Sequence, residues 1–136
     1  MGFMLTENDI TNYLVDYLKT VGYTQVNGIT TLDRGIDITA VNTKGKKVCI
    51  EVKGETSSRV GTPRYGLPFT GNQIASHVSV ALLKTLVTMN EEAYKNCEFG
   101  IAFPFNHEIL IRRILPSLKL LEISVYLVSS ENVVVL

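Results

Sequence analysis

Two neighbouring segments in the first half of the chain alternate apolar and polar residues with period two. They span residues 36–41 and 48–53, and both are rich in valine, isoleucine and threonine. The residues between them are polar and include Gly45. Period-two alternation is typical of a half-buried strand, and a short polar connection with glycine is typical of a turn. The pattern therefore predicts a β-hairpin.

Helical spacing replaces this alternation in residues 6–21. Thr6 is a good N-cap, Asp9 three residues later approximates a capping box, and Gly22 is a suitable stop. Six side chains form the apolar stripe: Ile10, Tyr13, Leu14, Tyr17, Leu18 and Val21. A stripe of this width predicts a helix that packs on a core.

Two further helices are predicted in the second half of the chain. The first begins with a cap at Thr70 or Asn72 and runs to about residue 90. Its inward face consists of Ile74, Val78, Ala81, Leu82, Thr85 and Met89. The second is capped by Asn106 and ended by Pro116. Its apolar residues are Ile109, Leu110, Ile114 and Leu115.

Three more segments have the composition of strands. Residues 98–103 form a buried run closed by Pro104, residues 122–128 alternate, and residues 132–136 suit an edge strand. Strands and helices that alternate after an initial hairpin predict an α/β fold, a mixed β-sheet with helices on both faces. Without a repeat or a linker, residues 1–136 are predicted to be a single domain.

Composition is that of a folded domain with a core. Apolar residues make up 46% of the 136 positions and charged residues 19%, which excludes a disordered chain. No apolar run approaches the length of a membrane span, and the first residues lack the features of a signal peptide. Cys49 and Cys97 are too few for a disulfide framework or a zinc site. We therefore expect a cytoplasmic protein without a membrane partner.

Three charged residues of the hairpin are the first candidates for chemistry: Asp37, Glu51 and Lys53. Glu51 and Lys53 share a face of their strand, and Asp37 joins them if it pairs opposite residue 51 or 53, through a loop of five or three residues. Two carboxylates on one face repel unless a cation lies between them, which is typical of a divalent-metal site. A solvated hairpin face with alternating charges is the other interpretation.

Glu7 is in line with the apolar stripe of the first helix, three residues before Ile10 and seven before Leu14. A glutamate is almost never buried without a partner, so this position is unusual. One interpretation is a frayed first turn in which the helix dipole favours an acid. The other is that Glu7 reaches over the sheet toward Asp37 and Glu51.

These residues resemble the pattern of a known enzyme family. A helix with a glutamate, an aspartate on one strand and Glu-x-Lys on the next is similar to the PD-(D/E)xK nuclease superfamily. The stretch Arg34–Ala40 followed by Ile50–Lys53 is similar to archaeal Holliday-junction resolvases and Mrr-like restriction endonucleases. The chain departs from the pattern where Ile36 stands in place of proline. The resemblance covers residues 5–103 in element order and about twenty residues as motif.

The resemblance implies a restriction-endonuclease-like fold and a metal-dependent nuclease. It implies catalytic roles for Asp37, Glu51, Lys53 and the helix acid Glu7. The metal ligands it implies are Asp37, Glu51, the carbonyl of Val52 and Glu7. Carboxylate oxygens suit Mg²⁺ or Mn²⁺. No small-molecule cofactor is expected.

The formal net charge is zero, but basic residues are concentrated around the motif. Residues 44–84 contain seven basic and two acidic side chains, so this segment carries +5 and the remainder −5. A basic patch beside carboxylates suits a phosphate substrate. Residues 54–71, with four glycines and two prolines, predict a long loop. The residues expected to contact nucleic acid are Arg59, Arg64 and Tyr65 in this loop, with Gln73 and Lys84 on the helix that follows.

Taken together, the sequence predicts an Mg²⁺-dependent endonuclease that hydrolyses DNA phosphodiester bonds. Two alternatives stay open. One is a catalytically inactive relative that binds nucleic acid as a module of a larger complex. The other is an α/β protein unrelated to nucleic acid, in which the hairpin face is solvated. The apolar C-terminal strand is compatible with a homodimer.

Overall fold

The computed structural model describes residues 4–28, 35–55 and 71–136. They form one small α/β domain with a six-stranded sheet and three α-helices. The helices are α1 (Glu7–Thr20), α2 (Gly71–Met89) and α3 (Glu108–Leu120). The strands are β1 (Thr24–Asn27), β2 (Ile38–Val41), β3 (Lys47–Val52), β4 (Glu98–Pro104), β5 (Ile123–Val128) and β6 (Val133–Val135). Short 3-10 turns cover Glu92–Tyr94 and Phe105–His107.

The strands lie in the sheet in the order in which they follow along the chain. β1, β2 and β3 pair antiparallel, β3, β4 and β5 pair parallel, and β6 adds antiparallel at the edge. One buried cluster joins α1 to one face of the sheet, and a second joins α2 and α3 to the other. The predicted mixed sheet with helices on both faces is confirmed. The restriction-endonuclease-like fold within this class stays a prediction.

Helix α1 begins as its sequence indicates. The hydroxyl of Thr6 accepts a hydrogen bond from the N–H of Asp9, and the Asp9 carboxylate accepts one from the N–H of Thr6. Ile10, Leu14 and Leu18 are fully buried against the sheet. The inward position predicted for Val21 is wrong, since Val21 is 43% exposed. The helix has already ended at Thr20, so residue 21 no longer follows the apolar stripe.

Helix α2 matches its predicted extent closely. It runs from Gly71 to Met89, and Asn72 lies inside it instead of capping it. Val78, Ala81 and Thr85 are buried as predicted. Thr88 is also buried, and its hydroxyl donates to the carbonyl of Lys84. A buried threonine is tolerated here because its hydroxyl has a partner within the helix.

Helix α3 departs from the prediction at both ends. Asn106 does not cap it, because residues 105–107 form a 3-10 turn and His107 is the N-cap. Pro116 does not end it, and the helix continues to Leu120. Ile111 and Leu118, on either side of the proline, are both buried in the core, and this packing offsets the lost hydrogen bond. Ile109, one of the apolar residues of this helix, is 84% exposed.

The two edge strands differ in how well the sequence indicates them. β6 lies at the edge as predicted. β1 was not predicted, because it is four residues long and its residues are at most partly buried. Gln25 adopts a φ of +49°, and the pairing of β1 with β2 shifts register there. The homodimer suggested by the apolar C-terminal strand stays a prediction. In the described part of the chain, no helix is long and apolar enough to cross a membrane.

Candidate functional site

The hairpin of β2 and β3 sets the geometry of the candidate site. Ile38 pairs with Ile50 and Val41 with Lys47, which leaves five residues in the loop. Within that loop the N–H of Gly45 donates to the carbonyl of Asn42, and Gly45 has a φ of +81°. A turn followed by a glycine in the left-handed region is a common hairpin connection. Of the two predicted registers, the five-residue loop is the one observed.

This register places Asp37 opposite Glu51, one position beyond the last paired residues. The backbone N–H of Val52 donates to Oδ2 of Asp37 at 2.8 Å. One carboxylate oxygen of Asp37 is therefore held by the backbone beside Glu51, and the other is left for a second partner. The aspartate is fixed in position by the strand that carries the glutamate.

The alternation predicted for β2 does not extend to Ile36. Ile36 is buried with Cys49 and Phe99, whereas Ile38 packs in the cluster under α1 on the other face. The strand begins only at Ile38, and Gly35 before it has a φ of +79°. Period-two alternation holds only where the backbone is extended, so residues before Ile38 follow their own path.

Glu51 is a buried carboxylate between two lysines. Its side chain is 8% exposed. Its Oε2 lies 3.7 Å from Nζ of Lys53, and its Oε1 lies 3.1 Å from Nζ of Lys84. Burial, and then the nearby Asp37 carboxylate, raise the pKa of Glu51 to about 7, against the opposing effect of the two lysines. Because Glu51 is buried, a merely solvated hairpin face does not describe this residue.

Lys84 lies at the centre of this cluster. The sequence placed it on a flank of α2 as a nucleic-acid contact, and its side chain instead reaches Glu51, 33 positions earlier in the chain. It is 40% exposed, so it joins the buried carboxylate to the surface. Only the packing of α2 on the sheet brings these two residues together.

A small cavity lies beside Glu51, under α2. Its volume is about 10 Å³ and its lining includes Cys49, Thr85 and Thr88. This is close to the space that one water molecule needs. Cys49 is buried among apolar side chains, as expected of a small packed residue.

Glu7 approaches the cluster from the other side of the sheet. Helix α1 begins against the backbone that follows β3, where a Cβ on Gly54 would lie 2.5 Å from the N atom of Glu7. Leu5 and Glu55 bond to one another there: the N–H of Leu5 donates to Oε1 of Glu55, and the N–H of Glu55 donates to the carbonyl of Leu5. The first turn of α1 is thus tied to the end of β3.

The charges around Glu7 favour the interpretation that it faces the cluster. Burial raises its pKa, with a further raising effect from Asp37 and lowering effects from Lys53 and Lys84. The complete capping box at Thr6 argues against a frayed first turn. Glu7 therefore belongs to the electrostatic environment of the hairpin carboxylates, although α1 packs on the opposite face.

Two histidines border the site, and neither was a predicted site residue. Nδ1 of His77, on α2, lies 3.2 Å from Nε2 of His107, in the turn after β4. Burial lowers the pKa of both to about 4, and the Lys53 charge contributes to the shift at His77. Sequence patterns could not reveal this pair, since 30 positions separate the two residues.

Asp37 and Glu51 carry the carboxylate oxygens that a hard divalent ion would use as ligands. In the described ranges, no group of three or more His, Cys, Asp or Glu side chains could hold a metal ion. Mg²⁺ commonly keeps several waters and takes only one or two carboxylates. A metal site built on Asp37 and Glu51 therefore stays a prediction. The metal-ligand roles of the Val52 carbonyl and of Glu7 stay predictions.

The remaining candidates for nucleic-acid contact keep their status as predictions. Arg59, Arg64 and Tyr65 lie outside the described residues. Gln73 lies half-buried in the first turn of α2. The basic residues Lys44, Lys46 and Lys47 are at the hairpin loop, the far end of β3 from Glu51. Glu51 follows Lys46 by five positions, which is about 16 Å along an extended chain. The expected basic patch around the carboxylates is therefore reduced, in the described chain, to Lys53 and Lys84.

Comparisons with protein-family models, with curated proteins and with solved structures found no match.

Proposed function

We propose that the protein is a metal-dependent endonuclease that hydrolyses DNA phosphodiester bonds. The observation that carries the proposal is the register of β2 and β3, which sets Asp37 opposite Glu51 with Lys53 beside them. The two carboxylates are close enough for Asp37 to raise the pKa of Glu51. Paired carboxylates with an adjacent lysine are the groups that phosphodiester hydrolysis with a divalent ion uses.

Each side chain has a distinct part in this proposal. Asp37 and Glu51 would hold Mg²⁺ or Mn²⁺, which when bound supplies a Lewis acid for the phosphate and lowers the pKa of a water. Lys53 offsets negative charge at the phosphate or orients the attacking water. The Lys84 ammonium pairs with the Glu51 carboxylate. Because the Lys84 side chain is partly exposed, it could move into solvent when a metal ion takes its place at Glu51. Glu7 adds negative charge from α1.

The fold proposed for this activity is restriction-endonuclease-like. Support comes from three features in one arrangement: a hairpin that leads into a parallel strand, a helix acid that approaches from α1, and a helix after the Glu-x-Lys strand. The candidate residues lie at the carboxyl end of β3, where α/β sheets commonly bind ligands.

A panel of DNA substrates tests the activity. Linear, nicked, branched and single-stranded DNAs would be incubated with Mg²⁺, Mn²⁺ or a chelator. We expect cleavage of at least one form with metal and none with chelator, and loss of cleavage in Asp37→Ala and Lys53→Met. Asp16→Asn, at an exposed position of α1, is the matched control and should cleave normally. Metal-independent cleavage, or full activity in Asp37→Ala, would refute the proposal.

One observation favours a second candidate, an inactive module that binds nucleic acid. Two lysines already neutralise Glu51 without a metal. A protein of this kind would retain DNA in a salt-dependent way and cleave none of the panel, since phosphate contacts alone release counterions. Retention without cleavage at any metal concentration would select this candidate over the endonuclease.

A further inference from the structure

The pairing of β5 with β6 shows which backbone groups of β6 bind its neighbour in the sheet. The N–H of Leu136 donates to the carbonyl of Val125 at 3.0 Å. Hydrogen-bonded pairs recur at every second residue of an antiparallel ladder, so the next such pair is Val134 with Leu127. The N–H and C=O groups of Val134 therefore point into the sheet.

The same alternation directs the N–H and C=O groups of Val133 and Val135 away from β5. Among the described residues, no strand pairs with this outer side of β6. Each of the two valines presents one donor and one acceptor there. A row of such groups at the edge of a sheet is a template on which another strand can pair.

The residues of β6 do little to block this edge. Residues 132–136 contain no charged residue and no proline, which commonly protect an exposed edge. The opposite edge differs, because Gln25 in β1 has a φ of +49° and the register shifts there. Such an irregularity hinders the addition of a strand. The length of β6, three residues, limits pairing at its edge without preventing it.

The side chains of β6 suit a second copy of the same strand. Val133 packs in the cluster under α1, and Val134 packs in the cluster under α2 and α3. Val135 shares the face of Val133 and is 51% exposed. A two-fold axis at Val134 would set Val135 of one copy beside Val133 of the other. Each exposed Val135 would then gain an apolar, β-branched neighbour, a favourable cross-strand pair.

We propose that two copies of the chain pair antiparallel through β6, with the two-fold axis at Val134, so that their sheets join into one continuous sheet. In this register Val133 of each copy exchanges both backbone hydrogen bonds with Val135 of the other. Every outward group of β6 is then paired. The proposal assigns an interface to the homodimer expected from the apolar C-terminal strand, and it does not depend on the endonuclease activity.

Disulfide formation tests the register. Residue 134 of one copy would face residue 134 of the other in a non-hydrogen-bonded pair, with Cα atoms about 4.5 Å apart, which a disulfide can bridge. Val134→Cys should therefore form a covalent dimer under mild oxidation. Val135→Cys is the matched control, because the two copies of residue 135 would be diagonal neighbours, about 7–8 Å apart, too far for a disulfide. The wild type measures the background from Cys49 and Cys97.

Analytical ultracentrifugation over a range of protein concentrations tests the association itself. The wild type should dimerise, and Val135→Pro should raise the dimer Kd tenfold or more, because proline removes an outward N–H. The fold should persist in this variant, since that N–H is not used by β5 and proline is tolerated on edge strands. Val135→Ile keeps the N–H and the β-branched shape, so it should dimerise like the wild type.

Three results would overturn the proposal. A wild type that stays monomeric at the highest soluble concentration would leave the edge to a strand of another protein. Equal cross-linking of Val134→Cys and Val135→Cys would show that the register is different. A dimer whose Kd is unchanged in Val135→Pro would place the contact between copies on another surface.

Discussion

At the scale of single residues, Glu51 combines features that oppose one another. It is buried beside Asp37, which disfavours its charge, and it contacts two lysines, which favour it. The net effect is a pKa raised to about 7. A group whose pKa is higher in the folded protein stabilises the fold only while it is protonated, and this contribution is lost as pH rises through the folded pKa.

Replacing Glu51 by glutamine should therefore stabilise the metal-free protein more at high pH than at low pH. Between about pH 4.5 and 7 the folded state of the wild type holds a proton that the unfolded state has released, so its stability falls as pH rises. The advantage of Glu51→Gln should grow by on the order of 1–3 kcal/mol from pH 5 to 8.5. Urea unfolding of both proteins across this range measures it.

Two comparisons make this measurement specific to Glu51. The pKa of His77 and of His107 is lowered to about 4. Their contribution to the stability of the fold therefore rises with pH between about 4 and 6.5, whereas that of Glu51 falls. It is present in both proteins and cancels in the difference. Glu131→Gln, at an exposed position, should give a difference that is independent of pH. A pH-independent difference for Glu51→Gln would contradict the burial argument.

Glu7 offers a second test at this scale. If it only favours the helix dipole, Glu7→Gln should cost a few tenths of a kcal/mol of stability and leave cleavage unchanged. If Glu7 faces the proposed metal site at Asp37 and Glu51, the substitution should lower the cleavage rate tenfold or more, which corresponds to about 1.4 kcal/mol in the activation barrier. It should also raise the Mg²⁺ concentration for half-maximal rate. We expect the second result, because Asp37, Lys53 and Lys84 all act on the pKa of Glu7.

At the scale of elements, the site depends on how closely the start of α1 approaches the end of β3. Gly54 is the point of contact: an added Cβ would meet the N atom of Glu7 at 2.5 Å and the carbonyl carbon of Thr6 at 2.6 Å. Both are backbone atoms, so a side chain there cannot be accommodated by a rotamer change. The whole first turn would have to move, and Glu7 with it.

Gly54→Ala should accordingly destabilise the protein by about 1–3 kcal/mol, the usual cost of overpacking a close contact. If the protein cleaves DNA, the variant should also lose activity, because Glu7 is displaced from the lysines and Asp37. Gly71→Ala is the matched control, since a Cβ there meets no atom of the described residues within 4 Å. Thermal unfolding measures the stability that each variant loses. Equal losses in the two variants would show that the close contact at Gly54 does not matter for stability.

At the scale of the whole molecule, the lysines near the hairpin lie in two groups, one at each of its ends. Lys53 and Lys84 lie at the carboxylates, whereas Lys44 and Lys46 lie at the opposite loop. With a net charge of zero, the DNA binding that we propose would depend on where the basic residues are placed, because the protein as a whole does not attract DNA. The contribution of each group can be measured through the salt dependence of binding.

Replacing Arg59 and Arg64 together by alanine should weaken DNA binding and flatten its dependence on salt by up to about two counterions. Turnover at saturating DNA should change less. The control is the double variant Lys44→Ala with Lys46→Ala, which removes the same charge from the hairpin loop. Its DNA binding should depend on salt concentration about as strongly as that of the wild type. Equal slopes for wild type and the arginine variant would remove this segment from the binding surface.

The sequence by itself determined the features that depend on neighbouring residues. The capping box of α1 spans Thr6 to Asp9, and a polar connection that contains Gly45 joins the two strands of the hairpin. These signals are local, so periodicity and turn chemistry reveal them. The same reasoning placed Glu51 and Lys53 on one face, and it placed Asp37 there on the condition that Asp37 pairs opposite residue 51 or 53.

Tertiary structure decided what depends on residues far apart in the chain. The contact of Lys84 with Glu51 and the pair of His77 with His107 arise only when α2 packs on the sheet. The continuation of α3 through Pro116 likewise depends on burial of Leu118, which overrides a local preference. Caps and turns depend on the backbone of a few consecutive residues. The burial of a carboxylate and its pKa depend on side chains from distant parts of the chain that pack around it.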